Sequence, residues 1–405
     1  MSTIEKLKEF LKSEHVEVRR KAVATLGEIK SEKGIQYLLT ALEDKDEIVR
    51  GTAIFSLGEI GSERAVESLL RFLADKNANI RSGTAIALGK IGSKKAEDAL
   101  ILALKDANDH VRGCVAAALS KIGSEKAEQL LIKFSRHAED PAIRRKSIVA
   151  LKEVKSTQAH QAIIEALEDH EESVRNCAVV TIGELGLPRA EEKLLSILNR
   201  ENATVQVSIL FALGEIKSEK SVDPVIRLLK SPHREVATQA ASTLGKIPSK
   251  KALFDLIAML ERGSSDMKWS IVEALGELRR EEAIPSLVKL LHDPDNDVRW
   301  SVARALGLIR SKKSIAPLVQ MLQDPNLQVR SSAVNSLGRL GFQEGIAPLL
   351  QALNDPESPV VWSAAEALIE IGDTDILHKL ERMLPTINHQ IVESLQEEIQ
   401  QRLGK

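Results

Sequence analysis

Aromatic residues make up only 3% of this 405-residue chain, with one Tyr and three Trp. A compact enzyme of that length would carry more aromatic bulk, and a single hydrophobic core normally stops growing below it. The choice lies between several globular domains and one repeat array, and an aromatic-poor chain rich in Ala, Leu, Ile, Glu and Lys favours the array. Long apolar runs are missing too: none approaches the roughly 20 residues that span a bilayer. No segment alternates with a period of two for long enough to build a sheet, and prolines are scarce where helix interiors would fall. An excess of charge of either sign is also lacking. The 56 basic and 58 acidic side chains leave a formal −2, which offers no general pull towards nucleic acid or an anionic membrane. The N-terminal residues from Met1 to Lys8 have no apolar stretch of the secretory kind, so a cytosolic protein is expected. Cysteine is scarce: Cys114 and Cys177 stand 63 residues apart. In a stack of helices about 8–10 Å apart they would lie beyond the roughly 7 Å Cα limit of a disulfide, so they read as free thiols.

What the chain does have is a period. Taking Arg19 as phase zero, the same register returns at Arg50, Arg81, Arg112, Arg144, Arg175, Gln206, Ala237, Lys268, Arg299, Arg330 and Val361. The step is 31 residues except for a single extra residue before Arg144. Six positions after phase zero the residue is always small or short (Ser56, Ala87, Ala118 and their equivalents). The seventh is Leu in every unit but one, Ile182, and the eighth is Gly in most, from Gly27 to Gly338. Each unit reads as two helices. The first is short and Ala-rich, as in the stretch ending at Gly92, and the second carries larger apolar residues at three- and four-residue spacing, as in the stretch ending at Asp75. Ser or Asp between them can cap free backbone N–H groups, and Gly late in the first helix suits a close helix crossing. No single hairpin buries its apolar face, so neighbours must stack. The chain is therefore expected to be an all-α solenoid of about 12 hairpins.

The pattern D-x-x-x-x-V-R-x-x-A-x-x-A-L-G-x-I-G followed by A-x-x-x-L-x-x-x-L-x-D resembles the HEAT-like repeats of the phycobilisome-lyase type, and it runs over roughly residues 14–385. Residues 1–13 are expected to close the N-terminal edge with a lone helix over 3–12, and residues 386–405 to close the other edge with a polar helix. The resemblance implies a superhelix whose first-helix positions form the binding surface, as in artificial scaffolds built on this consensus. Side-chain size points the same way, because the Ala- and Gly-rich helix fits the inner, concave layer.

On that layer, positions one, two, five and nine after phase zero are expected to face solvent. All three tryptophans, Trp269, Trp300 and Trp362, occupy position one. Position five is apolar through Phe55, Ile86, Val149, Val180 and Phe211, then polar from Ser242 onwards with Glu273, Arg304 and Glu366. An aromatic ladder exposed for recognition explains the column, since Trp gives much contact area for little lost entropy. Arg145 and Lys146, beside Arg144, add a small basic spot. These residues form the candidate groove, with two subsites or one long partner across both.

Six residues before phase zero stand Asp44, Asp75, Asp106, Asp169, Asp293, Asp324 and Asp355. All but Asp355 precede a phase-zero Arg, and in the middle Asp and Arg are lost together at Arg200/Gln206, Ser231/Ala237 and Arg262/Lys268. Joint loss predicts that the two share a network between neighbouring repeats. Its lapse, with Pro248 and Gly263-Ser264-Ser265, marks 199–268 as a hinge.

Catalytic signatures are not found: no His-Glu-x-x-His, no paired Cys-x-x-Cys and no Gly-rich phosphate loop. His170-Glu171 is a single His-Glu dipeptide, far short of an iron site. Asp293, Asp295 and Asp297 imitate the start of a calcium loop, but Arg304 stands where the bidentate acid is needed, so helix capping is their expected role. The expectation is a non-enzymatic scaffold without metal or cofactor that binds a protein or peptide, and neither nucleic acid nor membrane. The resemblance also implies an alternative, a bilin lyase, isomerase or phycobilisome-associated factor cradling a tetrapyrrole, in which Cys114, Cys177 and the aromatic residues would be the side chains of interest.

Overall fold

A computed structural model of the protein describes residues 3–261, 267–371, 374–383 and 399–400. Among them all regular structure is helical, and no helix is long and apolar enough to cross a membrane. The chain divides into two compact units, Met1–Ile197 and Leu198–Lys405. Each is a stack of helical hairpins in which first helices pack on first helices. In the first unit these are Val16–Ile29, Glu47–Ile60, Ala78–Ile91, Asp109–Ile122, Pro141–Leu151 and Glu172–Leu185. In the second they are Ala203–Ile216, Arg234–Lys246, Lys268–Leu278, Asn296–Ile309, Leu327–Leu340 and Ser358–Ile371. Thr3–Phe10 is a helix packed on the first hairpin through buried Leu7. Of the C-terminal helix expected over 386–405, all but 399–400 lies outside the described residues, as does Gly263-Ser264-Ser265.

The period-31 columns acquire physical reasons. The Gly of position eight lies against the small residue of position six in the next repeat. A Cβ on Gly58 would sit 2.7 Å from the Ala87 Cα, and one on Gly89 would sit 2.7 Å from the Ala118 Cα. The same contact recurs for Gly276 against Ala305. At these glycines the first helices thus approach backbone to backbone, which a side chain there would not permit. Second helices start with the expected caps: the Ser31, Ser93, Ser218 and Ser311 hydroxyls accept the N–H two residues on. Pro224, Pro285, Pro317 and Pro348 fall in the opening turns of second helices, where a missing N–H costs nothing.

Most first helices end in the left-handed region. Gly61, Gly92, Gly123, Gly186 and Gly341 take it freely, but Lys30, Lys217, Arg279 and Arg310 occupy it at φ 47–57°. A side chain there costs about 1 kcal/mol relative to Gly. Each of Lys217→Gly and Arg310→Gly should therefore raise stability by up to about 1 kcal/mol in denaturant melts. Unchanged midpoints for both would remove this account of the caps.

The Arg and Asp columns do form one network between repeats, with a register that corrects the sequence reading. Arg19 donates from Nε and Nη2 to the carboxylate of Asp44 in the following repeat, at 2.7 and 3.0 Å. Its Nη1 binds the carbonyls of Ser13 and Glu14 at 2.9 and 3.2 Å. The arrangement recurs for Arg81 with Asp106, Arg144 with Asp169, Arg299 with Asp324 and Arg330 with Asp355. Asp355, which seemed to lack an Arg, is thus served by Arg330 of the repeat before. The Arg81 hydrogen bond holds the Asp106 carboxyl below the ordinary range. Lys268 keeps the network going by binding Asp293 at 2.7 Å, so the expected lapse narrows to Gln206 and Ala237. Gln206 donates to the Leu198 carbonyl at 3.0 Å, and buried Ala237 has no donor to offer. The extra residue before Arg144 has its own consequence. Arg112 finds no carboxylate in register, reaches Asp109 and Asp140 with Nη2, and leaves its Nε buried without a partner.

Candidate functional site

The first helices bury positions three, four, six and seven after phase zero and turn position five outwards, because five lies across the helix from the packed face. In Glu47–Ile60 the residues Ala53, Ile54, Ser56 and Leu57 are buried while Phe55 is 57% exposed. Ile86, Val149, Val180 and Phe211 are also exposed at this position. In the first unit the Phe55 ring, with Ile48, Gly51 and Ile80, lines a hollow of about 380 Å³. Lys90 of the next repeat stands 4.7 Å from the Phe55 ring centre, and Lys246 stands 4.9 Å from that of Phe211. Each ring therefore carries a cation over its face.

Position one proves less open than expected. It faces the next first helix: the Ser332 hydroxyl donates to the Trp300 carbonyl at 3.4 Å, and the Ser331 and Ser363 hydroxyls meet at 3.2 Å. Ser82 is buried there, and Trp300 and Trp362 are half-buried. Trp269 is 41% exposed. No indole is fully covered. Trp269 and Trp300 share a hollow of about 650 Å³ with Arg234, Thr238, Asp295 and Asp297. A second hollow, of about 430 Å³, also takes Trp269 and Thr238, now with Ser242, Glu273 and Arg304. Trp362 lines neither of these hollows.

The charged residues singled out by position are mostly engaged internally. Arg304 forms an ion pair with Glu273 of the preceding repeat and holds its guanidinium 5.9 Å from the Trp300 ring. Arg144 is buried in the network described above, and Arg20 pairs with Glu17 and Asp46, which shrinks the basic spot. Lys146 lies 3.5 Å from Asp109. Arg145 is half-buried, its Nε without a hydrogen-bond partner.

Asp295 caps the helix Asn296–Ile309 as expected, while Asp293 braces the loop before it and binds Lys268. Asp293 accepts the Asp295 N–H at 3.1 Å, and Asp295 accepts the Asp297 N–H at 2.8 Å. For Asp295 the capping role hid a second position, beside two indoles and together with Asp297. Nothing in the 31-residue pattern flags that, because it depends on how the loop before one first helix meets the face of its neighbour. Cys114 and Cys177 are free and half-buried. Burial pushes both thiols up, which leaves little thiolate at neutral pH.

Comparison with known proteins agrees with this fold. Yeast importin-beta (Kap95p) shares the fold with a TM-score of 0.69 at 15% identity, over 98% of this chain and 67% of that one. The karyopherin Kap121p, solved with the extreme C-terminus of the protein phosphatase Cdc14p, matches with a TM-score of 0.61 at 15% identity, over 95% and 50%. The chain thus spans about two thirds of the first and half of the second, and identities this low speak to fold alone. Among curated proteins there is no match. The family model for HEAT repeats, however, matches in overlapping segments, 4–83, 67–141, 128–203, 191–270, 254–332 and 315–398. With that coverage, and with stacked hairpins repeating every 31 residues, the chain belongs to the HEAT-repeat family.

Proposed function

We propose that this protein is a non-enzymatic interaction scaffold that holds a protein or peptide partner along its first-helix layer. One observation carries the reading. Large apolar side chains recur at a fixed position on successive first helices and stay exposed, where a chain needing only stability would place polar ones. The frame beneath them is stiffened by buried Arg–Asp pairs and Gly-mediated contacts, so the surface is presented with little entropy left to lose on binding. Close approach of first helices, against bulkier second helices, favours this layer as the concave one. A karyopherin of the same fold accommodates a C-terminal peptide of a phosphatase, which is consistent with peptide capture by such a layer. The finer kinship to the phycobilisome-lyase repeat type rests on the 31-residue unit and its V-R-x-x-A-x-x-A-L-G core. We place the protein in the cytoplasm on the same sequence grounds, and the softer middle at the repeats of Gln206 and Ala237.

A random peptide library displayed on phage and selected on the whole chain tests the reading. Selected peptides should lose at least tenfold in affinity for Trp269→Ala/Trp300→Ala or for Phe55→Ala/Ile86→Ala, while both variants melt like the parent. Full affinity for both variants would refute a first-helix docking surface.

A further inference from the structure

The hollow beneath Trp269 and Trp300 joins two features that independently favour a cation. Indole rings attract ammonium and guanidinium groups through their quadrupole, as Trp300 already does with Arg304 at 5.9 Å, and Asp295 and Asp297 bring two carboxylates to the same lining. Neither carboxylate forms an ion pair among the described residues. Asp295 accepts one backbone N–H, from Asp297, and has acceptor capacity to spare. Arg234 is the one cation of the lining, and its side chain is exposed.

The surrounding first helices carry the same bias. From 203 to 371, Lys246, Lys268, Arg299, Arg304 and Arg330 are held by carboxylates of the chain itself. Among the described residues of these helices, the cations left without a carboxylate are Arg234 and Arg339. Against them stand Glu235, Glu277, Asp297, Glu366 and Glu370, likewise unpaired. A chain of almost balanced charge has therefore left an acidic excess on one layer, beside its indoles.

We infer that the hollow receives a lysine or arginine side chain from an extended basic segment of the partner. The aliphatic stem lies along the indoles, and the cationic head meets Asp295 and Asp297. This rests on the docking reading above and specifies the chemistry of the partner.

Hexalysine is the probe, with hexaglutamate as its counterpart and a peptide selected on the chain as the control for docking. In nitrogen–proton spectra, hexalysine should shift the indole Nε1–H signals of Trp269 and Trp300 and leave that of Trp362 unmoved. Asp295→Asn/Asp297→Asn should weaken binding at least tenfold. Asn at 295 still caps the helix, so the fold is kept. Affinity should also fall steeply between 50 and 300 mM salt, roughly as expected for exposed charges. Equal binding by the double variant, or hexaglutamate shifting the same signals as strongly, would overturn the inference. A selected peptide that shifts both indoles while hexalysine shifts neither would overturn the basic-side-chain inference and leave the docking surface standing. Failure of both probes would sink the two together.

Discussion

Replacing Asp169 by Ala should destabilise the first unit by about 3 kcal/mol. Arg144 retains 2% of its side-chain exposure and Asp169 7%, so the pair is cut off from water. Removing the carboxylate strands a guanidinium that cannot be rehydrated without opening the helix contact, and its Nε and Nη2 lose bonds of 2.7 and 2.9 Å. The remaining contacts, from Nη1 to the Ala138 and Glu139 carbonyls and from Nη2 to the His170 Nε2, hold the arginine in place rather than release it. Asp75 supplies the control. It stands in the same column but makes no ion pair with the Arg50 of the repeat before; its carboxylate accepts the Asn77 N–H at 2.8 Å. Asp75→Ala should cost no more than about 1 kcal/mol. Because repeat arrays unfold piecewise, the measurement is hydrogen exchange rather than one melting midpoint. Protection in Pro141–Leu151 and Glu172–Leu185 should fall about a hundredfold in Asp169→Ala. Equal effects of the two substitutions would show that the column is decorative.

Gly58→Ala and Gly83→Ala should have opposite signs. Both glycines lie inside first helices, where Ala is intrinsically better by about 1 kcal/mol. Nothing lies within 4 Å of a Cβ at Gly83, so Gly83→Ala should stabilise by roughly that amount. At Gly58 the new methyl would meet the Ala87 backbone at 2.7 Å, a contact that no rotamer relieves. The two helices must part, and overpacking of this kind costs about 1–3 kcal/mol, enough to reverse the propensity gain. Urea unfolding of the two single variants, followed by helicity, decides the matter. A stabilised Gly58→Ala would mean that the first helices are not held at the spacing described.

The solenoid was legible because one 31-residue unit is written twelve times, and averaging over copies makes each column speak. The near-constant Leu at position seven, the small residue at six and the prevalent Gly at eight reflect one packing repeated, so they identify helices, hairpins and stacking without coordinates. Exposure of position five followed from the helical period alone, and Phe55, Ile86 and Phe211 lie as that period requires. Partners across repeats were not legible in the same way. Conserved spacing says that Arg and Asp belong together, but an Asp six residues before one Arg and 25 after another fits either, and the structure selects the second.

The amino-acid sequence determined the class of fold, the length of its unit and the exposure of position five, because these depend on local periodicity and side-chain size. Only the tertiary structure decided that Arg304 is spent on Glu273 and that Trp269 is more open than its two counterparts. It also decided that Asp295 and Asp297 stand beside an indole pair. Those facts depend on distances between side chains of different repeats, which hydrophobic patterning constrains to a neighbourhood and packing alone fixes to an atom.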